Sequence, residues 1–180
     1  MSRIGKKPII IPKGVEFNIS GSHISVKGPK GQLKRDFPSE VKITREGEVV
    51  KCSIPENSEK HVRGLFGLVR SLVANMVTGV SEGYTKVLEI VGVGYKGKME
   101  GNKIVLSIGY SHPVVLDAPK DITLKLEGTN KVAVSGIDKE LVGQTAAVIR
   151  RIKPPEHYKG TGIRYAGENV RIKEGKKLAA

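Results

Sequence analysis

The chain has 180 residues, 38% of them hydrophobic, with no Trp, one Cys and a formal net charge of +13. That is enough apolar material for one or two folded units, but too little aromatic surface to line an organic-ligand pocket, and one Cys excludes an internal disulfide. Charge of this size predicts attraction to polyanions, while apolar runs of about five residues fall far short of the roughly 20 needed to span a bilayer.

The opening Met1-Ser2-Arg3-Ile4-Gly5-Lys6-Lys7-Pro8 is basic, with Arg3, Lys6 and Lys7, and no apolar stretch of signal-peptide length follows it. A cytoplasmic protein is therefore expected. Alternating runs come next at Val15–Ile19, His23–Lys27, Val41–Ile43 and Val49–Ile54, separated by Gly and Pro punctuation, and they read as strands. Cys52 lies in the last of these, where a small buried hydrophobe is its expected role. The period then changes. Val62, Leu65, Phe66, Val69, Leu72, Val73, Met76 and Val77 follow the spacing of one helical face, with Ser58 as the expected N-cap and Gly79 as the expected stop. The other face carries Arg63 and Arg70 among Gly64, Gly67, Ser71 and Ala74. It is either a smooth basic surface for RNA or protein, or a solvated face with glycines kept for packing.

The pattern then repeats. Strand-like runs at Val87–Val91, Lys103–Ile108, Val114–Leu116, Ile122–Leu126 and Lys131–Val134 lead to Asp138, a helix cap, and to the apolar-face positions Leu141, Val142, Thr145, Ala146, Ile149 and Ile152. An offset of about 80 residues lays Val62 on Val142, Val69 on Ile149 and Arg70 on Arg150, which points to internal duplication. The expected fold is α+β: two similar domains, each an antiparallel sheet with one packed helix, plus a basic C-terminal extension. The expected boundaries are 1–81, 82–153 and 154–180.

Charge is unevenly placed. Residues 1–80 carry a net +7, residues 81–149 carry none and residues 150–180 carry +6. The last segment is expected to be a nucleic-acid grip, with Arg150, Arg151, Lys153, Lys159, Arg164, Arg171, Lys173, Lys176 and Lys177 as its cations. Pro154 and Pro155 end the helix, and Gly160 and Gly162 around Thr161 let the backbone approach a phosphate. Tyr158 and Tyr165 supply rings for stacking on bases. With few apolar residues, the segment is expected to be ordered by its partner.

Enzyme readings find little support. Gly92-Val93-Gly94-Tyr95-Lys96-Gly97 fits G-x-G-x-x-G, but a strand-like run follows it where a dinucleotide site needs a helix. The four His and one Cys lack metal-ligand spacing, so no metal or other cofactor is expected, and no G-x-S-x-G elbow occurs.

Several strings resemble the bacterial form of the large-subunit ribosomal protein six family. They include Ser2–Pro8, Val26-Lys27-Gly28-Pro29-Lys30-Gly31, Asn75–Val80, Leu88–Tyr95, Gly109-Tyr110-Ser111-His112-Pro113-Val114 and above all Pro155–Tyr165. The resemblance implies two related α+β domains and a structural, non-enzymatic role bound to large-subunit ribosomal RNA. It places the protein near the base of the acidic stalk and the sarcin–ricin loop, with neighbouring ribosomal proteins and translation factors close by and no membrane or small-molecule substrate. The family usually carries Lys where this chain has Thr161. Arg3, Lys6, Lys7, Arg63 and Arg70 are expected as secondary RNA or protein contacts.

Overall fold

A computed structural model describes residues 2–55, 58–101 and 103–175. Two compact units result: one runs to Tyr84 and takes in Ile137–Lys139, and the other runs from Thr85 to Gly136 and resumes at Glu140.

The first unit contains β1 (Ile9–Ile10), β2 (Glu16–Ser20), β3 (His23–Gly28), β4 (Gly31–Asp36), β5 (Lys42–Glu46), β6 (Val49–Ser53) and α1 (Lys60–Ser81). The strands form two sheets ordered β2-β3-β4 and β1-β6-β5. Their pairings are antiparallel throughout. Alternation sends Phe17, Ile24, Val26 and Val50 inward, where Phe66, Val69 and Val73 of α1 join them in one core. Each such side chain contributes about 1.5–3 kcal/mol of burial. Half-buried Cys52 packs against this core, and burial pushes its thiol pKa up. By length and composition α1 is apolar enough to cross a bilayer, but its apolar stripe faces this core.

Both expected ends of α1 need correction. Glu59 holds the N-cap position without a side-chain bond, because the Ser58 hydroxyl donates instead to the Pro55 carbonyl. The helix also runs past Gly79 to Ser81, and Gly83, at φ +76°, ends it by donating its N–H to the Thr78 carbonyl at 3.1 Å. Gly79 is needed for another reason, since a Cβ there would lie 2.0 Å from the Ile137 carbonyl oxygen. A backbone approaches too closely for any side chain.

The second unit contains β7 (Tyr84–Val91), β8 (Lys96–Glu100), β9 (Lys103–Ser107), β10 (Val114–Asp117), β11 (Ile122–Glu127), β12 (Lys131–Gly136), α2 (Lys139–Ile152) and β13 (Gly162–Tyr165). Its sheets are ordered β8-β9-β10 and β11-β12-β7-β13. The first matches β2-β3-β4, and β7-β12-β11 matches β1-β6-β5, so the duplication extends to the connectivity. The glycine-rich Gly92–Gly97 stretch joins β7 to a strand rather than a helix, as its hairpin grammar requires.

The last strand is the addition that breaks the repeat, and it corrects the reading of 154–180 as an arm awaiting a partner. Residues 162–165 pair antiparallel with β7, setting Ile163 opposite Ile90 and Arg164 opposite Glu89. Ile163 is 0% exposed. A single buried side chain suffices here because the edge of β7 supplies the ladder hydrogen bonds.

Candidate nucleic-acid interface

Helix α2 ends at Ile152, and the chain then makes a closed loop instead of leaving the surface. At its base the Ile163 N–H donates to the Lys153 carbonyl at 2.7 Å. Further out, the Glu156 N–H donates to the Thr161 carbonyl at 2.9 Å and the Gly160 N–H to the Glu156 carbonyl at 3.1 Å. Gly162 is required where the loop closes, since at φ +143° its Cβ would meet the Pro154 carbonyl oxygen at 2.6 Å. The Thr161 hydroxyl donates across the loop to the Glu156 carboxylate at 3.3 Å. Thr161 thus serves the loop's own closure.

The tip of the loop, His157-Tyr158-Lys159, turns outward, and Tyr158 is 59% exposed. The returning chain is tied to it: the Lys173 N–H donates to the His157 carbonyl at 2.6 Å. Arg171 and Lys173 are both exposed, as is Arg151 at the end of α2. Among the described residues, the side chains of Arg151, Lys159, Arg171 and Lys173 have no ion-pair or hydrogen-bond partner. Lys176 and Lys177 lie outside the described residues.

Two other cations have acidic partners. The Arg150 guanidinium grips the Glu168 carboxylate with Nε at 3.0 Å and with a second, shorter contact from Nη2. The same carboxylate accepts the Tyr165 N–H at 2.9 Å, and Arg150 lies 5.6 Å from the Tyr165 ring centre. Arg164 donates to Glu89 at 3.3 Å, and Lys131 stands 3.8 Å from the same carboxylate. Glu89 and Glu168 are the participants that sequence reasoning missed. Only the register of β13 on β7, which no local pattern announces, brings Glu89 opposite Arg164.

The hydrogen bond from Arg150, with help from the Tyr165 N–H, holds the Glu168 carboxyl below its ordinary pKa. A lowered carboxylate pKa adds stability that is fully present above the unfolded value of about 4.3 and is lost as pH falls through the folded value. Glu168→Gln should therefore cost about 1–2 kcal/mol at neutral pH, the pair being only partly shielded from water. Thermal melts at stepped pH check this: the gap between the two proteins should close on acidification, and a constant gap would contradict the assignment.

The cations of α1 are also built into the fold. Arg70 donates to the Lys7 and Pro8 carbonyls at 3.1 and 3.2 Å, and Arg63 to the Ser58 carbonyl at 3.1 Å. A Cβ on Gly5 would meet the Phe66 ring at 2.4 Å, and one on Gly67 would meet the Ser2 hydroxyl at 3.1 Å. Gly67 and Phe66 of α1 thus seat the chain's own N-terminal segment, leaving Arg3, Lys6 and Lys7 exposed on it.

The fold and the loop define a class: a duplicated α+β protein that presents cations on a closed surface loop. The ribosomal protein L6 family matches residues 11–83 and 91–166, one segment in each half, and the chain belongs to that family. Large ribosomal subunit protein uL6 of Moorella thermoacetica is 55% identical over 98% of this chain and 96% of its own length. The protein of the same name from Synechococcus sp. (strain JA-3-3Ab) is 55% identical over 98% and 97%. That from Listeria welshimeri is 52% identical over 98% of each. The family is one of structural ribosomal proteins and not of enzymes.

Proposed function

We propose that this protein is a structural constituent of the large ribosomal subunit in the cytoplasm and binds large-subunit ribosomal RNA through its C-terminal loop. The observation that carries the binding assignment is the set of free cations: Lys159 beside exposed Tyr158 on the self-closed loop, Arg171 and Lys173 on the returning chain tied to that loop, and Arg151 at the end of α2. Free cations can neutralise phosphates without first giving up an internal partner, whereas Arg150 would leave Glu168 without its ion pair and Arg164 would leave Glu89 with only the longer Lys131 contact. Those two arginines, Tyr165, Gly160, Thr161 and Gly162 build the loop, and Lys153 sits beneath it. Lys176 and Lys177 extend the same basic segment. Exposed Arg3, Lys6 and Lys7 form a weaker second contact, with Arg70 positioning the segment that carries them and Arg63 held at the start of α1 by the Ser58 carbonyl.

The location near the stalk base and the sarcin–ricin loop, with ribosomal proteins and translation factors as neighbours, rests on family resemblance. Sedimentation of a cell lysate through a sucrose gradient tests the assembly. The protein should travel with large subunits, and its absence from those fractions would sink the proposal.

A further inference from the structure

A second feature of the C-terminal unit lies beside this loop and shares the cation Lys153 with it. The turn after β7 and the turn after β9 face each other across a cleft of about 240 Å³, lined by Val93, Tyr95, Tyr110, Ser111 and His112 among others. Tyr95 fixes both walls: a Cβ on Gly92 would lie 2.4 Å from its ring, and one on Gly109 would lie 3.0 Å from it. Both turns need glycine because this ring is wedged between them. Tyr110 is pinned separately, its hydroxyl donating to the Ile152 carbonyl at 2.6 Å, yet the residue remains 46% exposed. The Lys153 ammonium stands 4.6 Å from the Tyr110 ring centre and 5.9 Å from that of Tyr95. Val93, at the rim, is fully exposed.

The cleft is smaller than the roughly 300–1,000 Å³ typical of sites for organic ligands. It offers a preset aromatic face, an ammonium beside it and hydroxyl and imidazole groups at the mouth. These groups suit one unpaired nucleotide, with its base on a ring and its phosphate on the ammonium. Lys153 also ties the cleft to the loop, because its carbonyl receives the Ile163 N–H at the loop's base.

We propose that this cleft holds a single unpaired nucleotide of the RNA that the C-terminal loop grips, stacked on Tyr110 and charge-matched by Lys153. The proposal rests on the RNA-binding reading above. Its test is base and 2′-hydroxyl chemical probing of large-subunit RNA bound to the full-length protein, compared for wild type, Tyr110→Phe, Tyr110→Leu and Lys153→Gln. Wild type and Tyr110→Phe should protect the same unpaired nucleotide. Tyr110→Leu should restore its reactivity and weaken binding about 5–150-fold, the range for losing one stacked base. Lys153→Gln should weaken binding and reduce the protection. Should Tyr110→Leu fail to fold, Val93→Asp puts a negative charge at the rim, outside the core, and should abolish the same protection. Unchanged protection and affinity in the folded variants would overturn the cleft assignment. Failure of the wild-type chain to bind the RNA at all would overturn the broader reading instead.

Discussion

Ile163→Ala is expected to destabilise the C-terminal unit by about 2–5 kcal/mol, the range for truncating a large buried aliphatic side chain. Ile163 is 0% exposed and is the inward residue of a four-residue strand held on the edge of β7. Losing it removes most of the burial that keeps β13 docked, and the Arg164–Glu89 pair depends on that docking. Gly162→Ala should act in the same direction, because the new Cβ would approach the Pro154 carbonyl oxygen to 2.6 Å. Urea denaturation gives the magnitude, and amide exchange along β7 gives the location. If Ile163→Ala left β7 exchange unchanged, the strand would not be part of the folded unit. A consequence concerns truncation: removing residues 154–180 takes away a strand as well as cations, so it tests stability and binding together. Removing 171–180 alone spares β13.

The second large effect is electrostatic. Arg151→Gln, Lys159→Gln, Arg171→Gln and Lys173→Gln combined should flatten the dependence of RNA affinity on salt by about three log units per log unit of salt, at roughly 0.7–0.9 per phosphate contact. Between about 50 and about 200 mM salt, wild type should then lose about 60-fold more affinity than the quadruple variant. Arg150→Gln with Arg164→Gln should behave oppositely, lowering stability while leaving the slope nearly unchanged, since both side chains already pair with carboxylates. A filter-binding titration over that salt range checks both. Equal slopes for wild type and the quadruple variant would place the grip elsewhere.

Much of this architecture was legible in the chain. The helical stripe from Val62 to Val77 and the alternating runs announced two helices and most strands, because their buried faces impose a clear period. Strands β4 and β8 were not, since Gly31–Asp36 and Lys96–Glu100 are polar sequences held mainly by neighbouring backbones. Strand β13 was hidden for the same reason: one Ile among glycines, charges and tyrosines has no readable alternation. The site was half legible. Composition marked the basic segment, but separating the free cations from Arg150 and Arg164 needed Glu168 and Glu89, which the fold brings into contact from 18 and 75 residues away. Gly79 carried a misleading signal, because a glycine kept for close backbone approach looks in sequence like a helix stop.

The measurement that bears most directly on the central claim is lysine protection on the intact chain. Acylation rates would be read by mass spectrometry with and without large-subunit RNA. Lys159 and Lys173 should be strongly shielded by the RNA, while exposed Lys120 and Lys125 on the neutral body of the same unit should keep their free rates. Shielding at Lys120 and Lys125 with none at Lys159 and Lys173 would contradict the assignment of the grip to the C-terminal loop.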